Sequence, residues 1–76
     1  MEHPFKYDYG ETVRIATSAP SPLTPGDVAE VVGMIEIIQP HDILGTLCPK
    51  GTIAYIIEFP DGSSVEVTEI CIEPHK

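Results

Sequence analysis

The stretch Ala54-Tyr-Ile-Ile-Glu-Phe-Pro-Asp-Gly-Ser-Ser-Val-Glu-Val-Thr68 has the pattern of two β-strands joined by a tight turn. The ring of Pro60 holds the backbone at the φ that begins a type I turn, and Asp61 is a common turn residue. Gly62 supplies the left-handed residue that closes a bulged three-residue loop. The stretch therefore predicts a β-hairpin whose loop is residues 60–62.

This loop also predicts which residues of the two strands lie opposite each other. Ile57 should pair with Val65, and Tyr55 should pair with Val67. Because side chains alternate between the two faces of a strand, one face of the hairpin is apolar. Its members are Tyr55, Ile57, Phe59, Val65 and Val67. A shift of the register by one residue would turn this set toward water, so the pairing is well determined.

The composition is typical of one small all-β domain. The chain has 76 residues, of which 42% are hydrophobic, and it contains eight prolines and six glycines. Turn residues at this density, with β-branched runs between them, favour strands over helices. We expect one domain over residues 1–76, in which residues 1–8 are a lead-in that frays.

Two further strands are predicted before the hairpin. Residues 11–17 alternate apolar and polar side chains, and residues 27–38 form the longest extended run. The Pro-rich segment 18–26 between them is too close to both to be an interdomain linker, so we expect a stiff loop. Gly33 has no side chain to pack and is the natural place for a bend or bulge in the long strand.

The rest of the chain is less regular. Segment 39–51 connects the long strand to the hairpin, and its apolar residues Ile43, Leu44 and Leu47 predict either one helical turn or a segment folded back on the sheet. Residues 69–74 predict a turn of 3₁₀ helix followed by a short strand that Pro74 ends.

Three phrases of the sequence resemble small bacterial families with an SH3-like fold. They are Tyr-Gly-Glu-Thr-Val-Arg-Ile at 9–15, Pro-Gly-Asp-Val-Ala-Glu-Val-Val-Gly at 25–33, and the run 55–69 that contains the hairpin. The chain most closely resembles the SH3-like immunity proteins of bacterial polymorphic toxin systems, over about residues 9–74. The resemblance implies an all-β, five-stranded SH3-like small barrel with one 3₁₀ turn before the last strand. The resemblance also implies that this chain binds and neutralises a toxin domain. It supplies no catalytic residues.

The charge restricts the partners of the protein. Four Lys and Arg residues stand against twelve Asp and Glu residues, which gives a formal net charge of −8. Such a chain repels phosphate backbones, so we expect no nucleic-acid binding. The negative charge suits a basic protein partner, although solubility alone would also explain it. No apolar run approaches the roughly 18 residues of a membrane span.

Cysteine and histidine give no sign of catalysis or metal binding. Cys48 and Cys71 do not form a Cys-x-x-Cys pair, so we expect reduced thiols in a cytoplasmic protein, with Cys71 in the core. His41 and Asp42 with Cys48 are too few for a structural zinc site, which needs about four ligands. We therefore predict no enzyme activity and no cofactor.

The function that these observations favour is occlusion of a protein partner, most simply a basic toxin domain. The alternatives are a docking or accessory module of a larger assembly and a nucleic-acid-binding small barrel, and the charge counts against the second. The oligomeric state is left open. We expect the partner to contact exposed carboxylates, with apolar anchors at the centre. These residues are Glu30, Glu36, Asp42, Glu58, Glu66 and Glu69, with Leu23, Leu44 and Leu47 as the anchors. Leu23 either fills the space under the Pro-rich loop or is presented to the partner.

Overall fold

The structure is a computed structural model that describes residues 5–75, and its regular elements are seven strands and one 3₁₀ turn. The strands are β1 (Thr12–Ile15), β2 (Val28–Glu36), β3 (His41–Ile43), β4 (Thr46–Cys48), β5 (Ile53–Glu58), β6 (Ser64–Thr68) and β7 (Ile72–Pro74). The 3₁₀ turn, Glu69–Cys71, lies between β6 and β7. The all-β class and the 3₁₀ turn before the last strand are confirmed.

Five of the strands form one antiparallel sheet in the order β6-β5-β2-β1-β7. The strands β3 and β4 form a separate two-stranded hairpin. The predicted five-stranded sheet is therefore present. Among residues 5–75 its edge strands β6 and β7 do not pair with each other, so the sheet is open and is not closed into a barrel.

The predicted hairpin is formed by β5 and β6 with the expected register. Ile57 pairs with Val65, and Tyr55 pairs with Val67. At the loop, the amide of Gly62 donates a 2.9 Å hydrogen bond to the carbonyl of Phe59. Gly62 has a φ of 91°, which is the left-handed conformation that the bulged loop requires. The turn assignment is confirmed.

A bulge in β2 changes the face to which its side chains point. The register with β5 shifts between Val31 and Gly33. A Cβ atom at Gly33 would lie 3.3 Å from Cβ of Ile56, so the absence of a side chain permits the close approach of the two strands. Before the bulge Val31 faces the main core, whereas after it Ile35 packs on the opposite side of the sheet. The bulge predicted at Gly33 is confirmed.

The apolar residues form two clusters on opposite faces of the sheet. The main cluster consists of Tyr7, Val13, Ile15, Ala29, Val31, Tyr55, Ile57, Val67, Cys71 and Ile72. The second cluster is smaller and consists of Ile37, Ile43, Cys48 and Ala54. Ala54 and Tyr55 are consecutive residues that belong to different clusters, so β5 is buried on both faces.

Segment 39–51 follows one of its two predicted courses. It forms the β3–β4 hairpin, which folds back on the sheet through Ile43 and Cys48. The two loop residues, Leu44 and Gly45, have φ values of 53° and 80°, as in the two-residue turns that fit the twist of a hairpin. The carboxylate of Asp42 accepts a 2.9 Å hydrogen bond from the Gly45 amide and stabilises this turn. Of the two predicted alternatives, the segment folded back on the sheet is confirmed and the helical turn is wrong.

The N-terminal lead-in contributes to the core. Tyr7 is buried in the main cluster, and its hydroxyl donates a 3.3 Å hydrogen bond to the carbonyl of Ile72. The Tyr7 ring meets the Tyr55 ring edge to face at 5.5 Å. Fraying was predicted for residues 1–8, of which 1–4 lie outside the described residues.

Candidate functional site

Two carboxylates lie side by side on the outer face of the sheet. Glu30 on β2 is the direct cross-strand partner of Glu58 on β5. Thr12 flanks Glu30 on β1, and Ser64 flanks Glu58 on β6. Both glutamates are exposed, and neither has an ion-pair partner among residues 5–75. Like charges in directly opposed positions destabilise a sheet, so this pair is a feature that folding alone does not favour.

The predicted site residue Glu66 points from the same face but has a partner within the chain. Its Oε1 atom lies 2.8 Å from Nε2 of His41. His41 begins β3, so the contact ties the small hairpin to the edge strand β6. The carboxylate of Glu66 is therefore engaged in a contact that links two parts of the fold.

Glu69 is also engaged within the chain. Its Oε2 atom accepts a 2.8 Å hydrogen bond from the Tyr55 hydroxyl and a longer one, 3.3 Å, from the amide of Lys6. The Tyr55 oxygen in turn accepts hydrogen bonds from the amides of Lys6 and Tyr7. These bonds attach the N-terminal segment to the 3₁₀ turn.

The environment keeps Tyr55 neutral. Burial raises the pKa of its hydroxyl above the ordinary value of 10.0, and the nearby carboxylate of Glu69 acts in the same direction. The backbone amides of Tyr7 and Lys6 oppose this shift without reversing it. The neutral hydroxyl can therefore donate to Glu69 while it accepts from the backbone.

The two remaining predicted carboxylates lie elsewhere. Glu36 is exposed at the far end of β2, about 20 Å along the strand from Glu30. Asp42 is exposed on β3 and stabilises the hairpin turn. Of the six predicted carboxylates, the sheet thus places only Glu30 and Glu58 in direct opposition.

The three predicted anchors differ in exposure. Leu47 is 69% exposed on β4. Leu44 and Leu23 are half-buried and pack against the main cluster, so the prediction that Leu23 fills the space under the Pro-rich loop agrees with the structure.

Sequence reasoning did not single out Ile70, which is 77% exposed in the 3₁₀ turn. Together with Leu47, Pro49 and Ile53 it lines an apolar groove of about 370 Å³. The only sign of this residue in the sequence is the apolar run Ile70-Cys-Ile72. In a 3₁₀ turn, however, successive side chains point about a third of a turn apart, so burial of Cys71 leaves Ile70 outside.

Two more grooves meet at the tip of the β5–β6 hairpin. The larger, about 590 Å³, lies between the Pro-rich loop and the tip, with Leu23, Asp27, Asp61 and Val65 in its wall. The smaller, about 370 Å³, contains Glu30 and Glu58. The two grooves share the residues Val28, Phe59 and Pro60.

The described residues provide no metal-binding group of side chains. Residues 5–75 contain no group of three or more His, Cys, Asp or Glu side chains placed to hold a metal ion. Cys48 and Cys71 are free thiols, and both are buried. The Cys71 sulfur lies 3.3 Å from the Thr68 hydroxyl, and Cys48 donates to the carbonyl of Thr46. What the surface offers is carboxylates beside apolar grooves, which suits reversible binding.

Across residues 5–75 there is no helix of the length and apolar character needed to cross a membrane. Comparison with protein-family models, with curated proteins and with solved structures found no match to this chain.

Proposed function

We propose that this protein is a non-enzymatic module that binds a basic protein and blocks its working surface, as an immunity protein does with a toxin domain. The observation that carries the proposal is the opposition of Glu30 and Glu58 on an exposed face, with no cation of the described chain beside them. A Lys or Arg from a partner would relieve the repulsion between these carboxylates and form charge-assisted hydrogen bonds.

The charge distribution supports this choice of partner. Arg14 is already bound to Glu73, with 2.7 Å between Nη2 and Oε2, and Lys6 lies over the ring of Tyr7. With a net charge of −8, the surface that remains is acidic and attracts basic proteins over distances of about one Debye length, ~8–10 Å at physiological salt. Such attraction mainly raises the association rate.

The order of the elements supports the SH3-like part of the proposal. A strand, a Pro-Gly loop, a long strand, a tight hairpin, a 3₁₀ turn and a short strand follow one another as in that plan. We take the open five-stranded sheet to be a variant of the SH3-like plan, in which the β3–β4 hairpin is an insertion. The proposal places the protein in the cytoplasm, where its two thiols stay reduced.

Co-expression with the toxin encoded next to this gene tests the proposal. Rescue of growth, together with a complex of the two purified proteins, supports it. Failure of both contradicts it.

A pair of variants tests the role of the carboxylates in that complex. Glu30→Gln/Glu58→Gln and Thr17→Lys/Gln39→Lys raise the net charge equally, but the second pair lies on exposed turns away from the glutamates. We expect the Gln pair to lower the association rate and its salt dependence more than the Lys pair. Equal effects would show that net charge alone attracts the partner.

A second candidate, a docking module of a larger assembly, is favoured by the groove beside Leu47 and Ile70. Exposed apolar side chains that meet at one groove are typical of stable interfaces. This alternative expects a partner that is bound at all times in the producing cell. Leu47→Ser or Ile70→Ser should then abolish the binding of that partner. It expects no rescue from a toxin.

A further inference from the structure

The two grooves at the hairpin tip form one continuous surface. Val28, Phe59 and Pro60 belong to the walls of both, so the two grooves adjoin along these residues. The larger groove opens where the Pro-rich loop faces the tip of the β5–β6 hairpin.

The larger groove has an apolar base. Leu23, Phe59 and Val65 are half-buried, and each packs against the main cluster on its inner side. Their outer sides line the groove, and Pro22 and Pro60 stiffen its edges. An apolar side chain placed here would remove the exposed parts of these residues from water.

Carboxylates surround this apolar base, and among residues 5–75 no Lys, Arg or His side chain lines either groove. Asp27 and Asp61 belong to the larger groove, and Glu30 and Glu58 belong to the smaller one. Hydrogen bonds from the hydroxyl and amide of Ser63 lower the pKa of Asp61 below its ordinary value.

Arg14, a basic residue on the neighbouring strand, is engaged elsewhere. Arg14 is the cross-strand neighbour of Val28, which lines both grooves. Its guanidinium, however, is bound to Glu73 on β7, the strand on the other side of β1. Arg14 is therefore not available to this surface, which a basic partner would complement.

We propose that this double groove docks one segment of the basic partner, with an apolar side chain against Leu23, Phe59 and Val65 and an adjacent arginine or lysine between Glu30 and Glu58. The assignment rests on the proposed function and specifies its contact site. Arginine fits best, because its planar group can bind two carboxylates at once. The apolar side chain supplies the affinity, since well-packed central anchors carry most of the binding free energy of an interface.

Peptide titration of the full chain, labelled with ¹⁵N, tests the site without a known partner. The probe is acetyl-Gly-Leu-Arg-Arg-Gly-amide. One matched control replaces its leucine with glycine, and the other replaces both arginines with glutamate. We expect saturable shifts of the amides of Asp27, Val28, Glu30 and Glu58. The glycine peptide should bind at least about threefold more weakly, and the glutamate peptide should not bind.

Three results would overturn the docking site. The first is the absence of saturable shifts with the leucine–arginine peptide at millimolar concentration. The second is equal binding of the glycine peptide, which would mean that charge alone acts. The third is saturable shifts centred on Leu47 and Ile70.

Variants separate this site from the general function. Glu30→Gln/Glu58→Gln should weaken the binding of the peptide at least about threefold. Thr17→Lys/Gln39→Lys, which has the same net charge, should change the affinity for the peptide less than about twofold. If the toxin is neutralised but the two double variants bind it equally, the docking site is wrong and the proposed function stands. If the peptide binds as expected but no toxin is neutralised, the proposed function is wrong and the docking site stands.

Discussion

The hydroxyl of Tyr55 donates a 2.8 Å hydrogen bond to the carboxylate of Glu69, which begins the 3₁₀ turn. Tyr55 is fully buried, and its oxygen also accepts from the amides of Lys6 and Tyr7. One side chain of β5 thus fixes both the start of the described chain and the turn before its last strand. The bond to Glu69 requires the protonated hydroxyl, whereas the amides of Lys6 and Tyr7 donate to its oxygen.

Removal of this hydroxyl should destabilise the protein. Tyr55→Phe removes the acceptor of the buried Tyr7 amide and the hydrogen bonds to Lys6 and Glu69, which costs about 1–3 kcal/mol. Urea denaturation of the variant and of Tyr9→Phe measures the effect, because Tyr9 is 70% exposed and its variant should unfold like the wild type. Equal stability of the Tyr55→Phe protein would contradict the role of the network.

The same hydroxyl predicts a loss of stability at alkaline pH. Since burial raises the folded-state pKa of Tyr55 above 10.0, the unfolded chain ionises first. Its contribution is complete below pH 10 and is lost as pH rises from 10 through the folded-state pKa. The free energy of unfolding, measured from pH 7 to pH 11, should fall above pH 10 less steeply for Tyr55→Phe than for Tyr9→Phe. Parallel curves would exclude Tyr55 as the source.

Truncation of Ile57 should create a cavity in the main cluster. Ile57 is fully buried and pairs with Val65. Ile57→Ala should lower the free energy of unfolding by about 2–5 kcal/mol. The control is Ile70→Ala, which removes the same atoms from an exposed position and should change stability by less than about 0.5 kcal/mol. A variant of Ile57 as stable as this control would refute the hairpin packing.

Substitution of Gly62 should act through the backbone alone. A Cβ atom there meets no atom within 4 Å, so Gly62→Ala creates no clash, but φ is 91°. A left-handed alanine costs roughly 1–2 kcal/mol, and asparagine, which tolerates this conformation better, should cost less. In thermal unfolding the wild type should therefore have the highest melting temperature, Gly62→Asn an intermediate one and Gly62→Ala the lowest. An alanine variant that melts with the wild type would show that the turn does not depend on positive φ.

The two thiols should be unbonded and slow to react. Cys48 and Cys71 are both free and buried, in different clusters. Alkylation of the unreduced protein in denaturant, followed by mass spectrometry, should add two adducts, whereas native protein should be modified slowly. A denatured protein without adducts would reveal a disulfide.

The sequence predicted the parts of the fold that local chemistry determines. Pro60, Asp61 and Gly62 specify a turn by themselves, and the alternation around them fixes the register. Gly33 marked the bulge for a similarly local reason, because a glycine in a β-branched run has no packing role of its own.

The β3–β4 hairpin was missed because its turn lacks a recognisable residue pair. Leu44 has a φ of 53°, a conformation that leucine rarely adopts and that no sequence rule assigns to it. Packing of Leu44 against both clusters holds it there. Such contacts join residues far apart in the chain, and a local pattern does not contain them.

The site was predictable in composition but not in arrangement. An acidic surface follows from the charge count, whereas the opposition of Glu30 and Glu58 depends on how β2 pairs with β5. The hydrogen bonds of Glu69 to Tyr55 and Lys6 likewise require the folded chain. The exposure of Ile70 depends on the geometry of the 3₁₀ turn.

The β3–β4 hairpin also hinders self-association of the protein. It covers an apolar stripe formed by Ile35 on β2, Ile37 directly after β2 and Ala54 on β5. Two strands of three residues contribute few hydrogen bonds, so the hairpin should detach before the sheet unfolds. Detachment would leave the stripe open to the same stripe on another copy, and repulsion between chains of net charge −8 would be the remaining barrier to aggregation. High salt combined with mild heating is therefore the condition in which this protein should precipitate while most of its sheet is still folded.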